Sequence, residues 1–68
     1  MKITYFEDTD TLLIYFSDND IVETKEINEN TIIELDKNGK VVAMTIEHAK
    51  TQTELSSFSF NQIPKVAV

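Results

Sequence analysis

The sequence predicts an α+β fold: a small antiparallel β-meander of four to five strands with one short C-terminal helix packed on a face. Three observations predict it. Apolar residues recur at every second position through much of 2–48, the side-chain period of a strand. Clusters of Asp, Asn and Glu cut that pattern at close intervals, and their short side chains bond their own backbone in turns. Beyond His48 the spacing changes to the three-residue step of a helix.

Each element follows from its residues. "KITYF" at 2–6 alternates, with Ile3 and Tyr5 on one face, and "EDTD" turns the chain. "TLLIYFS" at 11–17 sets Leu12, Ile14 and Phe16 on one face and Leu13 and Tyr15 on the other. Both faces are apolar, the mark of an interior strand covered on two sides. After "DND", "IVETKEI" at 21–27 is polar between apolar ends and suits an edge strand, where charge discourages stray pairing. "TIIELD" at 31–36 and "VVAMTIEH" at 41–48 alternate again. "TQTE" at 51–54 fits a capping box, with Thr51 as N-cap and Glu54 reaching back to it. A helix over about 52–60 then presents Leu55 and Phe58 to the sheet and stops before Pro64, which disfavours helix at the preceding residue. A tail follows at 63–68, and the whole of 1–68 reads as one domain.

The only glycine, Gly39, lies in "DKNGK". Aligned with the invariant glycine of a calcium loop, it puts Glu34, Asp36 and Asn38 at the first, third and fifth ligand positions. The twelfth position falls on Thr45, which has no carboxylate to give. The flanks alternate as strands rather than helices. A hairpin explains every residue: Asp36 opens the turn, Lys37 and Asn38 form it, and Gly39 takes the left-handed position with a bulge.

Composition excludes several functions. The 68 residues contain no cysteine and one histidine, which removes disulfides, thiolate zinc sites and histidine-rich metal centres. The formal net charge is −6. Such a surface repels phosphates, so no nucleic acid and no membrane is expected as a partner, whereas a basic protein is attracted. Lys2, Lys25, Lys37, Lys40, Lys50 and Lys65 are too dispersed for a phosphate track. Tyr5, Phe6, Tyr15 and Phe16 resemble a base-stacking platform, but without interleaved basic residues they read as core. No apolar run approaches the ~20 residues of a membrane span, and "MKITYFED" lacks the apolar stretch of a signal peptide. A cytoplasmic location is the expectation.

His48 is a candidate general base, and Ser56, Ser57 and Ser59 follow it, but no nucleophile-elbow glycines flank them. His48 reads as a surface or capping residue. The turns at 18–20 and 37–40 fall at one end of a meander, so Asp18, Asp20 and Asp36 are candidate oxygen ligands for a hard cation. Turn chemistry explains each of them without a metal. No catalytic residue, cofactor or metal ligand is assigned.

The segments "MKITYFEDTDTLLIYFSD", "ETKEIN" and "IIELDKNGKVVAMTIEHA" resemble a family of small prokaryotic proteins catalogued as domain of unknown function 2283. Tyr5, Asp10, Leu12, Ile14, Phe16, Ser17, Thr24, Glu26, Ile27, Asp36, Gly39, Val42, Ile46 and Ala49 carry the likeness over residues 1–49. The family's glycine in the last strand corresponds to Ala43, and an acidic position after it to Thr45. The resemblance implies a small antiparallel sheet with a C-terminal helix or tail, and brings no activity, cofactor or catalytic residue. By analogy with members beside toxin-like genes, it implies an antitoxin-like or accessory role.

The expectation is therefore a non-enzymatic interaction protein that self-associates as a homodimer. A thin core needs support, and Leu13, Tyr15 and the apolar 66–68 offer surface for it. The alternative is a small-molecule or divalent-cation binding protein using Asp18, Asp20, Asp36 and His48.

Overall fold

The strands form where β-branched and aromatic residues concentrate, because those side chains pack well on a pleated surface. A computed structural model describes residues 1–65 of the chain. It contains β1 (Lys2–Phe6), β2 (Thr11–Tyr15), β3 (Glu23–Asn28), β4 (Thr31–Leu35), β5 (Val41–Glu47) and α1 (Ala49–Gln52). The five strands make one antiparallel sheet, ordered β1-β2-β5-β4-β3. This is the predicted α+β architecture. The hairpin β1–β2 and the meander β3–β4–β5 are joined by the pairing of β5 with β2. The chain reaches β3 by the connection 16–22, which passes the ends of β5 and β4: Phe16 N–H donates to the Val42 carbonyl at 2.7 Å, and Val22 N–H to the Leu35 carbonyl at 2.9 Å.

The register lines side chains into rows. On one face Ile3, Ile14, Met44 and Ile33 form a row ending at Lys25, and Tyr5, Leu12, Ile46 and Thr31 form a row ending at Asn28. On the opposite face Thr4, Leu13, Thr45 and Ile32 end at Glu26. The sheet thus grades from apolar at the β1 edge to polar at the β3 edge, as expected for "ETKEI".

Little of this is deeply covered. The buried apolar residues are Leu35, Val42, Ala43 and Ala49. Val42 is the extra residue of a bulge, since Glu34 faces Ala43 while Leu35 faces Val41. Bulges bend and twist a strand, and here Val42 is only 1% exposed. The molecule is 20 Å through its shortest axis, room for one sheet and a single covering layer.

The helix differs from the expectation of 52–60. It spans only Ala49–Gln52, and Thr51 lies inside it rather than at its N-cap. His48 holds the N-cap position in the left-handed region, φ 55°, with no side-chain capping bond. Thr51 instead donates its hydroxyl back to the His48 carbonyl at 2.9 Å. Glu54 lies beyond the helix and accepts from the Ser56 hydroxyl at 3.0 Å. The reason is composition: Thr53, Ser56, Ser57 and Ser59 are poor helix formers whose hydroxyls compete for the backbone. Thr53 turns extended, φ −139°, and its N–H and hydroxyl both close on the Ala49 carbonyl at 2.8 Å. Leu55 still reaches the expected face, carried by a turn after the helix: it lines a groove with Ile3, Tyr5, Leu12 and Ile14. Phe58, at the same groove, is 70% exposed. Of the expected tail, residues 66–68 lie outside the described residues.

So small a core makes each buried side chain count. Leu35→Ala should lower the unfolding free energy by about 2–3 kcal/mol in urea titrations, near the low end for a buried leucine. Ile63→Ala, at a position 85% exposed, should change it by less than about 0.5 kcal/mol.

Candidate functional site

The polar side chains with the most partners gather at the two ends of the sheet. At one end stand the turn 7–10, the turn between β3 and β4, and α1. Asp10 sits in the left-handed region, φ 53°, which short polar side chains tolerate best after glycine. Its carboxylate Oδ1 accepts the Tyr5 hydroxyl at 2.6 Å and the Lys50 N–H at 3.1 Å. Its carbonyl accepts the Ala49 N–H at 3.0 Å. One residue therefore ties β1, its turn and the helix start together. The bond to Asp10, with desolvation and the nearby negative charge, pushes the Tyr5 hydroxyl up to about 12.

His48 lies beside this knot. Its Nδ1 is 2.9 Å from the Asn30 Oδ1, while the Asn30 carbonyl accepts the Glu47 N–H at 2.7 Å. The His48 carbonyl accepts the N–H groups of Thr51 and Gln52 at 3.0 and 3.2 Å. His48 starts the helix through its backbone and steadies the β3–β4 turn through its ring. Its bonds run to Asn30, Thr51 and Gln52, not to Ser56, Ser57 or Ser59.

At the other end the "DKNGK" segment is the predicted hairpin. Asp36 N–H donates to the Lys40 carbonyl at 2.9 Å, and Gly39 N–H to the Asp36 carbonyl at 3.0 Å. Gly39 has φ 77°, the left-handed position foreseen for it. The Asp36 Oδ1 accepts the N–H groups of Asn38 and Lys40, both at 2.9 Å. Its Oδ2 accepts the Asn19 side-chain amide at 3.0 Å, which pins the connection 16–22 over the hairpin. Asp36 is 5% exposed and is the one buried charged residue of the described chain. The Lys40 N–H, then the Asn19 amide, hold its carboxyl below the usual carboxylate range.

Asp18, Asp20 and Asp36 do line one surface groove, together with Asn19 and Val22. Among the described residues no group of three or more His, Cys, Asp or Glu is placed to hold a metal ion. Asp36 spends both oxygens on the turn and on Asn19. His48 belongs to the opposite end and does not join them. A second groove is lined by Met1, Lys2, Tyr15, Ser17, Asp18, Asn19 and Val42 and holds no histidine. Sequence reasoning missed the role of Asp10; its signal was the pairing of Tyr5 with an aspartate just before the next strand. No helix of the described residues is long and apolar enough to cross a membrane.

Two titrations follow. Neutral Tyr5 donates to Asp10, so that bond supports the fold fully below the ordinary tyrosine pKa of about 10 and is lost as pH rises through the folded value. Asp10→Gly keeps the backbone angle accessible and should return Tyr5 towards about 10 in a tyrosinate absorbance titration; an unchanged curve would refute the bond. Ionised Asp36 is the form its donors favour. Its contribution is present above the ordinary carboxyl pKa of about 4 and fades as pH falls through its lower folded value. Urea midpoints measured against pH should show Asp36→Asn flattening the acid limb.

No curated protein and no solved structure matches the chain. The model of one family, described as protein of unknown function DUF2283, matches residues 2–50. The matched stretch runs from β1 to the first turn of α1 and includes both knots, Tyr5–Asp10–Ala49 and Asn19–Asp36–Lys40. Ala43, where the resemblance has glycine, is fully buried. The match covers most of the 68 residues, and the chain belongs to the DUF2283 family.

Proposed function

We propose that the protein is a non-enzymatic interaction module that self-associates as a dimer. One observation carries this reading. The chain exposes 5663 Å², whereas a compact monomer of 7.8 kDa exposes about 4,400 Å². The surplus of about 1,300 Å² exceeds the roughly 800 Å² that each partner buries in a standard interface. Large apolar side chains stand at the surface: Ile3, Phe6, Tyr15, Phe16, Phe58 and Phe60 are between 38% and 70% exposed. The radius of gyration of 14.3 Å is likewise larger than the roughly 11 Å of a compact chain this long.

The absence of chemistry in the reading rests on what the ionisable side chains already do. Asp10, Asp36 and His48 are each occupied in holding turns and ends. The net charge of −6 favours a basic protein as a second partner, with affinity that falls as salt rises. An antitoxin-like or accessory role takes that form.

Sedimentation equilibrium at micromolar concentration should return twice the 7.8 kDa chain mass. A stable monomer at every concentration up to the millimolar range would overturn the reading.

A further inference from the structure

An antiparallel sheet leaves unpaired N–H and C=O groups along both edges, and each edge invites another strand unless something blocks it. Here the two edges differ. β3 carries Glu23, Lys25 and Glu26, and its register with β4 shifts between Glu26 and Asn28. Charge and bulge are two of the devices that keep an edge from pairing. β1 has neither. It holds unbroken register with β2 from Lys2 to Phe6, has no acid, proline or glycine, and carries one charge, Lys2. In a chain of net charge −6, it is the edge where two copies meet with least repulsion.

The apolar rows point the same way. They fade to Lys25 and Asn28 at β3 but begin at β1 with Ile3 and Tyr5. A strand added at β1 continues the apolar face, while one added at β3 does not. Ile3 is 38% and Phe6 44% exposed at this edge. Phe58, 70% exposed, shares a groove with Ile3 and Tyr5 and stands beside it on the same face.

We propose that a second copy of this chain pairs with β1 of the first, antiparallel and two-fold symmetric, making one continuous ten-stranded sheet from two five-stranded ones. Symmetry fixes the register. A two-fold axis normal to the sheet keeps each face on its own side, so paired residues must share a face and the axis must pass through a residue. Only an axis through Thr4 pairs all five residues of β1. Thr4 then faces its own copy, Ile3 faces the partner's Tyr5, and Lys2 faces the partner's Phe6. The two apolar faces join, and the two copies of Phe58 approach across the seam. This rests on the self-association proposed above and names the surface that performs it.

The register supplies its own test, because a charge at position 4 meets itself. Thr4→Glu and Thr4→Lys should each weaken the dimer by about tenfold or more, since like charges directly opposite one another are destabilising. An equimolar mixture of the two should recover a dimer containing one of each. Circular dichroism checks that each variant folds. If either fails to fold, Thr4→Cys decides. The chain has no other cysteine, so mild oxidation should cross-link Thr4→Cys rapidly and the β3-edge control Lys25→Cys slowly. A dimer unmoved by either charge, or equal cross-linking at the two edges, overturns pairing through β1 while leaving self-association standing. A monomeric wild-type chain overturns both.

Discussion

Everything in this fold depends on the pairing of β2 with β5. It sets Leu12 against Ile46 and Ile14 against Met44, and among the described strands it is the pairing that joins a two-stranded hairpin to a three-stranded meander. The hairpin cannot stand alone, since isolated hairpins are marginal in water. The last strand of the chain must therefore return to the middle of the sheet before the first hairpin has a neighbour. Contacts of large sequence separation form the centre, and folding of such a topology is slowed by the loop closure it requires. The connection 16–22 crosses the end of the sheet because β5 occupies the place next to β2. The cover it provides there lies over Leu35 and Asp36, the buried end of the molecule.

Much of this was legible in the residues. Period two located β1, β4 and β5, because side-chain alternation is a local property of extended backbone; β2 was read from its β-branched and aromatic residues and β3 from polar residues between turns. "DKNGK" read as a hairpin because a glycine at positive φ and an aspartate accepting two backbone N–H groups are both local events. The helix was read less well. Thr51 and Glu54 have capping-box spacing, but a box helps only where the following residues favour helix, and Thr53, Ser56 and Ser57 do not. Strand order was not legible at all. The return of β5 to β2 is decided by packing of apolar rows across the sheet, which no window of neighbouring residues contains.

The candidate site shows the same division. Asp36 and His48 attracted notice as a ligand and a base, and both turned out to be fasteners. Asp36 holds a turn and a crossing chain through three accepted bonds. His48 starts a helix and touches Asn30. Asp10, which accepts three such bonds, was read only as part of a turn. A carboxylate that accepts several backbone and side-chain bonds has few lone pairs left for a ligand. The acidic residues not used in this way are spread along the chain and contribute to its net charge of −6.

What remains is a single sheet asked to protect apolar side chains with very little chain. Its own segment 53–58 lines one groove, and the proposed second copy extends the apolar face at the β1 edge. Amide hydrogen exchange tests that assignment most directly. The N–H groups of β5 lie at the centre and should exchange only through global unfolding. If a partner completes the fold, mass action makes that unfolding harder at higher concentration, so β5 exchange should slow as protein concentration rises. Exchange of β5 at one rate from micromolar to millimolar would contradict the account.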